Sequence, residues 1–349
     1  MIAVEVAVII VSFRSAGPAL RCLESLGSEL TSPDVRIRVI VVDNASGDLA
    51  SLARVAADRG WSAWLTLIGA PRNGGFAYGN NLGIAAAYAQ GAPDFVYLLN
   101  PDAEVRAGAV SALVHFLRLH PDVGVAGSGI ENADGSDWRV AFRFPSLWTE
   151  LVAGLELHAL KRWELAKEMQ PVAQPVDWVC GASMMVRAAL LATIGGLDEN
   201  YFLYFEETDY CFRARQAGFS TWYVPEAKVM HTGGQSTQIN ARGLAPNRLP
   251  PYWFESRRRY FMLRVGLGRA RMIDTVALAA HALALAKRAV RGRLSGATPH
   301  LIRDLFRHSV LRRSNREVRL IRGLGPESFE AHSPRVQTKS PAHPPLSSV

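Results

Sequence analysis

Val6-Ala-Val-Ile-Ile-Val-Ser-Phe13 is an unbroken apolar run rich in β-branched side chains. A strand with one wet face would alternate apolar and polar residues, so this one reads as covered on both faces, as in a parallel sheet. Pro18 to Leu30 then reads as a helix, with Leu20, Leu23, Leu26 and Leu30 near helical spacing. Val35 to Val42 repeats the buried-strand pattern and ends in the turn formers Asp43-Asn44-Ala45-Ser46-Gly47-Asp48. The spacing next predicts a helix over Leu49 to Arg59 and a strand over Ala63 to Ile68. A glycine-rich stretch from Asn73 to Gly83 opens a helix reaching about Gln90, and a strand follows over Asp94 to Asn100. Strands alternating with helices imply an α/β fold, a doubly wound and mostly parallel sheet whose ligands sit at the carboxyl ends of its strands. Asp43, Asn73 and Asp102 all follow predicted strands, so they are expected to meet at one edge.

A chain of 349 residues holds one such domain plus an extension. The net charge of +8 suits an anionic partner, and its location narrows the choice. From Glu255 to Gly323 there are seventeen Lys and Arg against four acids, whereas the part before them is close to neutral or slightly acidic. Cys22, Cys180 and Cys211 are widely spaced with no CxxC pair, which indicates neither a disulfide framework nor structural zinc and fits a reducing cytoplasm. No basic segment precedes the first apolar run, so no signal peptide is expected. The apolar run from Thr275 to Ala286 is too short to span a bilayer and is interrupted by His281. The tail from 326 to 349 is rich in Pro, Ser and His and reads as disordered.

Two stretches carry the chemistry. In Asn100-Pro101-Asp102-Ala103-Glu104, two acids stand two apart after a buried strand, a spacing that can offer hard oxygen ligands to Mg2+ or Mn2+ on a diphosphate. The plainer reading is a pair of acids complementing a helix N-terminus. From Asp198 to Asp209, at least four acids and four aromatics crowd a dozen residues. With a helix beginning near Glu206, Asp209 reaches Arg213 one turn on, and that pair leaves Glu207 free. A solvated acidic helix start is the alternative.

Val41-Val42-Asp43-Asn44-Ala45-Ser46, Asn73-Gly-Gly-Phe-Ala-Tyr-Gly-Asn-Asn81-Leu-Gly83, Leu99-Asn100-Pro101-Asp102 and Phe205-Glu-Glu-Thr-Asp-Tyr-Cys-Phe-Arg213 resemble, in order, the motifs of glycosyltransferase family 2, and within it the rhamnosyltransferase-like branch. The resemblance covers about residues 4 to 235 and implies the GT-A fold. It implies a donor site of Ser12, Asp43, Asn73, Asn81 and Asp102, with Asp43 accepting the imide N–H of a uracil or thymine base. By itself Asp43 reads as an Asx turn closing its strand, the commoner use of an isolated Asp-Asn, and the Asn73 stretch as a helix entry packed through glycines. The resemblance makes Asp102, Glu104 and His231 the metal ligands, His231 standing in Met230-His231-Thr232-Gly233-Gly234-Gln235-Ser236 after a short strand over Thr221 to Val224. It makes Glu207 the general base, with neighbouring Glu206 and with Asp209 as fallback base or orienting residue. Trp178-Val-Cys-Gly181-Ala182-Ser183 resembles the family's acceptor-side turn, bringing in Trp178, Gly181 and Ala182. The sequence departs from many relatives in reading Asn-Pro-Asp where they carry three acids, and Glu at 104 and 207 where they carry Asp.

The expected organisation is a catalytic domain over 1–245, with a nucleotide-sugar half over about 1–105 and an acceptor half over about 106–245, followed by a basic helical segment over 246–325. The implied activity is inverting, metal-dependent transfer of a sugar, rhamnose by resemblance, from a dTDP- or UDP-sugar to a saccharide or polyprenyl-diphosphate-linked acceptor. A catalytically inactive nucleotide-sugar-binding or scaffolding protein with the same fold is the alternative. In the basic segment, Tyr252-Trp253-Phe254 and Arg257-Arg258-Arg259-Tyr260-Phe261 set aromatics beside arginines, and Met272 to Arg291 continues with an apolar stretch edged by Lys287 and Arg288, which together suit a helix lying on the inner face of the plasma membrane. A helical cap or a homodimer contact would use the same residues. No nucleic-acid module accompanies the charge.

Overall fold

A computed structural model of the protein describes residues 3–157, 159–232, 247–292 and 297–312. In chain order its elements are β1 (Val4–Ser12), α1 (Ala16–Ser25), β2 (Val35–Asp43), α2 (Leu49–Asp58), β3 (Leu65–Gly69), α3 (Gly75–Ala89), β4 (Phe95–Leu99), β5 (Ala103–Val105), α4 (Ala109–Leu119) and β6 (Val123–Glu131). They continue as β7 (Ala141–Phe142), α5 (Leu147–Leu155), β8 (Gln174–Val176), β9 (Trp178–Val179), β10 (Ser183–Arg187), α6 (Ala188–Ile194), α7 (Glu206–Gln216), β11 (Ser220–His231), α8 (Pro251–Val290) and α9 (Leu301–His308).

The main sheet runs β3-β2-β1-β4-β10-β6-β11-β5, with β8 paired to β11. Its first four strands are parallel, whereas β10 enters antiparallel between β4 and β6, so the second half is mixed. Both faces of β1 are covered, as its continuous apolar run requires. Val6, Val8 and Ile10 pack with α1, α2 and α4 on one side, and Ala7 and Ile9 pack with α3, α6 and α7 on the other.

Glycines let α3 lie close on β1. A Cβ at Gly79 would come within 2.5 Å of the Val11 side chain, and one at Gly83 would overlap Ile9. The helix entry packed through glycines is therefore a real use of the Asn73 to Gly83 stretch. β11 is longer than the short strand expected at Thr221 to Val224: it stays paired with β6 across a register shift between Val224 and Lys228, pairing β8 before the shift and β5 after it, and His231 is its last residue, opposite Ala103. The stretch 233–236 and the tail 326–349 lie outside the described residues.

α8 packs on α5 and α9, and it bends at Gly266, whose φ of 74° and ψ of 171° are not helical. The structure corrects the expectation that Arg257, Arg258 and Arg259 face a membrane, since all three are buried. Arg257 lies between Glu150 (2.6 Å) and Asp274 (2.5 Å), Arg259 bonds Asp198 (2.5 Å), and Arg264 bonds Asp209. Tyr260 and Phe261 draw this helix face into an apolar cluster with Tyr201, and a guanidinium taken inside with them must be paired with acids. Among the described residues no helix is long and apolar enough to cross a membrane.

Candidate active site

A cleft of about 430 Å3 opens at the carboxyl ends of β1 and β4, where a doubly wound sheet offers its loops. Val11, Phe13, Asn44, Asn73 and Gly75 line one side of it, Asn100, Asp102, Trp138 and His231 another, and Gly181, Ala182, Glu206, Glu207 and Tyr252 the rest.

On the first side the turn after β2 is locked to the turn before α3. Asn44 Nδ2 donates to Asn73 Oδ1 and to the Gly75 carbonyl, both at 3.0 Å, while Asn44 Oδ1 accepts from the Gly74 amide. Gly75 sits at φ +86°, and a side chain there would run into the Phe202 carbonyl, which accepts from the Phe76 amide at 2.9 Å. The loop ahead of α7 is thereby fixed against the start of α3. Asp43 is buried and its Oδ1 accepts from the Ser46 amide (3.1 Å) and hydroxyl (2.5 Å), so it does close an Asx-type turn. Ser12, its neighbour across β1 and β2, is fully buried and bonds the Ser15 hydroxyl, away from the lining.

Asn81 has another task than contact with a donor. Its amide bonds the backbone N–H and carbonyl of Leu197 and the Glu199 carboxylate, which clamps the 196–199 loop to α3. Trp178 likewise turns from the cleft to stack on Phe142, with ring centroids 4.1 Å apart, and donates its indole N–H to the Arg143 carbonyl. A sequence spacing carries no information on these directions.

Asp102 and His231 come together from two distant stretches. His231 Nε2 lies 3.1 Å from Asp102 Oδ1 and 3.4 Å from Asn100 Nδ2, and Trp138 packs edge-on to the imidazole at 5.1 Å. His231 Nδ1 is buried without a hydrogen-bond partner. A carboxylate and an imidazole facing a cleft, one ring nitrogen still unsatisfied, suit a divalent ion that takes its other ligands from phosphate and water. Glu104 does not join them: its Oε1 lies 3.2 Å from Arg21 Nε, on the α1 side. The turn at Pro101 and Asp102 breaks the two-residue alternation that would have set both acids on one face. Among the described residues no third His, Cys, Asp or Glu completes a cluster with them.

Opposite, Glu206 and Glu207 begin α7. The left-handed backbone of Tyr204 (φ +69°) and Phe205 (φ +70°) turns the chain sharply into the helix. Oε2 of each glutamate is buried without a hydrogen-bond partner. Burial raises the Glu207 carboxyl to about 7 against the pull of hydrogen bonds from backbone amides, that of Gly181 among them. Burial first, then Glu207 beside it, push Glu206 well above the usual carboxylate range. Gly181 thus serves Glu207 through its N–H, and a Cβ on it would meet Phe76 at an ordinary contact distance of 3.5 Å. Asp209 is not in the lining. It is 1 % exposed and is held by Tyr201 (3.2 Å), Arg213 (2.8 Å) and Arg264, which orients α7 rather than reaching substrate.

Sequence reasoning missed Asn44, Trp138 and Tyr252 as lining residues. Tyr252, at the start of α8, packs on Phe202 and Tyr204, with ring centroids 5.4 and 6.3 Å apart. Its place among aromatics beside arginines suggested a membrane surface instead.

The model of the glycosyltransferase-like family 2 matches residues 4–245. The N-acetylglucosaminyl-diphospho-decaprenol L-rhamnosyltransferase of Mycobacterium tuberculosis is 31 % identical over 239 residues, covering 64 % of this chain and 75 % of that protein. Rhamnosyltransferase WbbL of Escherichia coli K12 is 26 % identical over 219 residues, covering 60 % of this chain and 78 % of its own. Among solved structures, that of GalNAc-T7 with UDP, GalNAc and Mn2+ superposes with a TM-score of 0.50 at 13 % identity, over 66 % of this chain; the match spans 44 % of that longer chain.

Proposed function

The chain belongs to glycosyltransferase family 2, in its rhamnosyltransferase-like part and with the GT-A fold, and from that premise we propose that it transfers a deoxyhexose, L-rhamnose, from a thymidine-diphosphate donor to a polyprenyl-diphosphate-linked sugar with inversion. The observation that carries this reading is one cleft holding Asp102 with His231 on one side and the unsatisfied carboxyl oxygens of Glu206 and Glu207 on another. The names of the two rhamnosyltransferase relatives support the sugar, and that of the mycobacterial one supports the acceptor class.

In this reading the locked Asn44 and Asn73 turns form the floor for the donor nucleotide. Asp102 and His231 hold a divalent ion, which when bound neutralises charge on the diphosphate leaving group. Glu207 accepts the proton of the acceptor hydroxyl while that oxygen bonds to the anomeric carbon, and the carbon–oxygen bond to the diphosphate breaks with its electron pair leaving on the phosphate. Attack from the face opposite the leaving group inverts the anomeric centre. Glu206, whose carboxyl burial and the neighbouring Glu207 push upward, holds its proton and so keeps a second negative charge out of the site. Phe13, Phe76 and Tyr252 supply apolar walls of the kind that exclude water from a reacting sugar.

A thermal-shift panel of dTDP-rhamnose, UDP-sugars and GDP-sugars, each with and without Mn2+, tests donor and metal together. A ligand bound only to the folded state at a hundred times its Kd stabilises by about 2.7 kcal/mol. The reading expects the largest rise with dTDP-rhamnose plus Mn2+, and transfer to a polyprenyl-diphosphate N-acetylglucosamine that stops on chelation. A shift for GDP-sugars alone, or undiminished transfer after chelation, would sink it.

A further inference from the structure

A helix in a folded domain needs one apolar face. The second half of α8, beyond the bend at Gly266, has two. Ile273, Ala277, Ala280 and Ala284 are buried, and Gly154 of α5 lies so close that a Cβ on it would be 2.7 Å from Ala280 Cβ. On the other side, the apolar Met272, Ala279, Leu283, Ala286 and Val290, with Thr275, whose hydroxyl is bonded back to the Arg271 carbonyl, follow one another at steps of three and four residues and are all exposed, with Val290 at 90 % and Leu283 at 59 %. At about 1.5 Å per residue this stripe is roughly 27 Å long.

Cations border it. At about 100° per residue, Arg269 and Lys287 fall along one edge and Arg271 along the other, with Arg291 just past the end. All four are exposed. The one acid on this half of the helix, Asp274, is buried against Arg257 and bonds the Val310 amide, so it does not offset them.

We infer that this stripe is a docking surface for an anionic lipid membrane. The charge pattern decides between that and a second copy of the chain. A twofold contact would press the stripe on itself, and in either helix direction the bordering cations would meet cations. An anionic lipid surface instead takes the apolar residues among its acyl chains and the cations at its headgroups. The surface rests on the proposed reading only for its use, which is to hold the cleft near a lipid-anchored acceptor. The same helix begins at that cleft with Tyr252.

The test is co-sedimentation of the full chain with phosphatidylcholine vesicles and with vesicles that also contain phosphatidylglycerol. The parent chain is expected to pellet with the mixed vesicles and to be released by salt. With each cation worth about a factor of five at an anionic surface, Arg269→Glu with Arg271→Glu lowers the partition coefficient at least about thirtyfold. Leu283→Asp with Val290→Asp, both on solvent-facing positions, lowers it likewise, and Leu119→Asp, exposed on α4, leaves it unchanged. A full chain that stays in the supernatant with both vesicle types overturns the inference. So does pelleting that neither double variant weakens, or a dimer in gel filtration that Leu283→Asp with Val290→Asp dissociates. Pelleting without sugar transfer defeats the proposed activity alone, and transfer to a short-chain soluble acceptor without pelleting defeats this surface alone.

Discussion

Two carboxyl groups stand side by side at the start of α7 in a site that leaves one oxygen of each without a partner. Because burial raises Glu207 to about 7, the group holds its proton through the range where an ordinary glutamate has lost it, and serves as a base only as the pH climbs past that point. kcat/KM is therefore expected to rise with pH along an acid limb centred near 7, an apparent value belonging to the pair with Glu206. Glu207→Gln should cut kcat by about 10²–10⁴, the usual worth of a positioned base; a variant at full rate would remove Glu207 from that role. The sign for stability is the reverse. A carboxyl whose folded-state pKa is raised contributes stability that is fully present below its unfolded value and is lost as pH rises through about 7, so Glu207→Gln should lose less stability than the parent between pH 5 and pH 8. What made Glu207, Asp102 and His231 readable as candidates is residue type in motif context. Their neighbours were less so: Asn81 and Glu104 carry suitable groups at suitable spacings, but a side chain's direction depends on whether its backbone is helix, turn or strand, and on whether Leu197 or Arg21 offers a better partner.

At the scale of the element, α7 is held at both edges. Arg213, one turn along, bonds Asp209 and the carbonyls of Ile194 and Gly196, while Arg264 reaches Asp209 from α8 and Arg259 binds Asp198 in the preceding loop. The Asp209 to Arg213 pair was legible from its four-residue spacing. Arg264 was not, since it lies 55 residues from Asp209 and joins it only through the packing of α8. Strand and helix starts in the first hundred residues fell within a few positions of expectation, because buried parallel strands advertise themselves as apolar runs. β11 was read short, since Pro225 and Glu226 interrupt its pattern where the register shifts. Arg264→Ala leaves Asp209 its bonds to Arg213 and Tyr201, so the fold should survive while α7 loses one brace. The expected result is a fall in kcat of about tenfold, a displacement of about 1.4 kcal/mol in transition-state energy, with little change in donor affinity by thermal shift. Arg264→Lys should recover part of it. Equal losses in donor binding and turnover would instead mean general loosening of the cleft.

For the whole molecule, the question is whether the basic C-terminal segment is an appendage or part of the catalytic body. Its composition pointed to an appendage, because seventeen cations in one stretch read as a surface. The structure divides them: Arg257, Arg258 and Arg259 are interior, and Arg269, Arg271, Lys287 and Arg291 are exposed. Sequence alone could not make that division, since the acids that admit Arg257 include Glu150, 107 residues away. Arg257 is 2 % exposed and ties α8 to α5 and across its own bend to Asp274, without touching α7 or the cleft. Arg257→Met would strand Glu150 and Asp274 together beside an apolar side chain, and breaking a buried pair from one side costs about 3–5 kcal/mol. Against a total of about 5–15 kcal/mol for a folded protein, that is a large share. The variant is expected to unfold at much lower urea while keeping near-parental kcat at temperatures where it remains folded, the opposite of Arg264→Ala. If catalytic body and C-terminal helices unfold as one, the urea curve stays a single transition whose midpoint moves, read identically by tryptophan fluorescence and far-ultraviolet dichroism. An early separate transition, with transfer activity persisting past it, would show that the helices detach while the catalytic body stands.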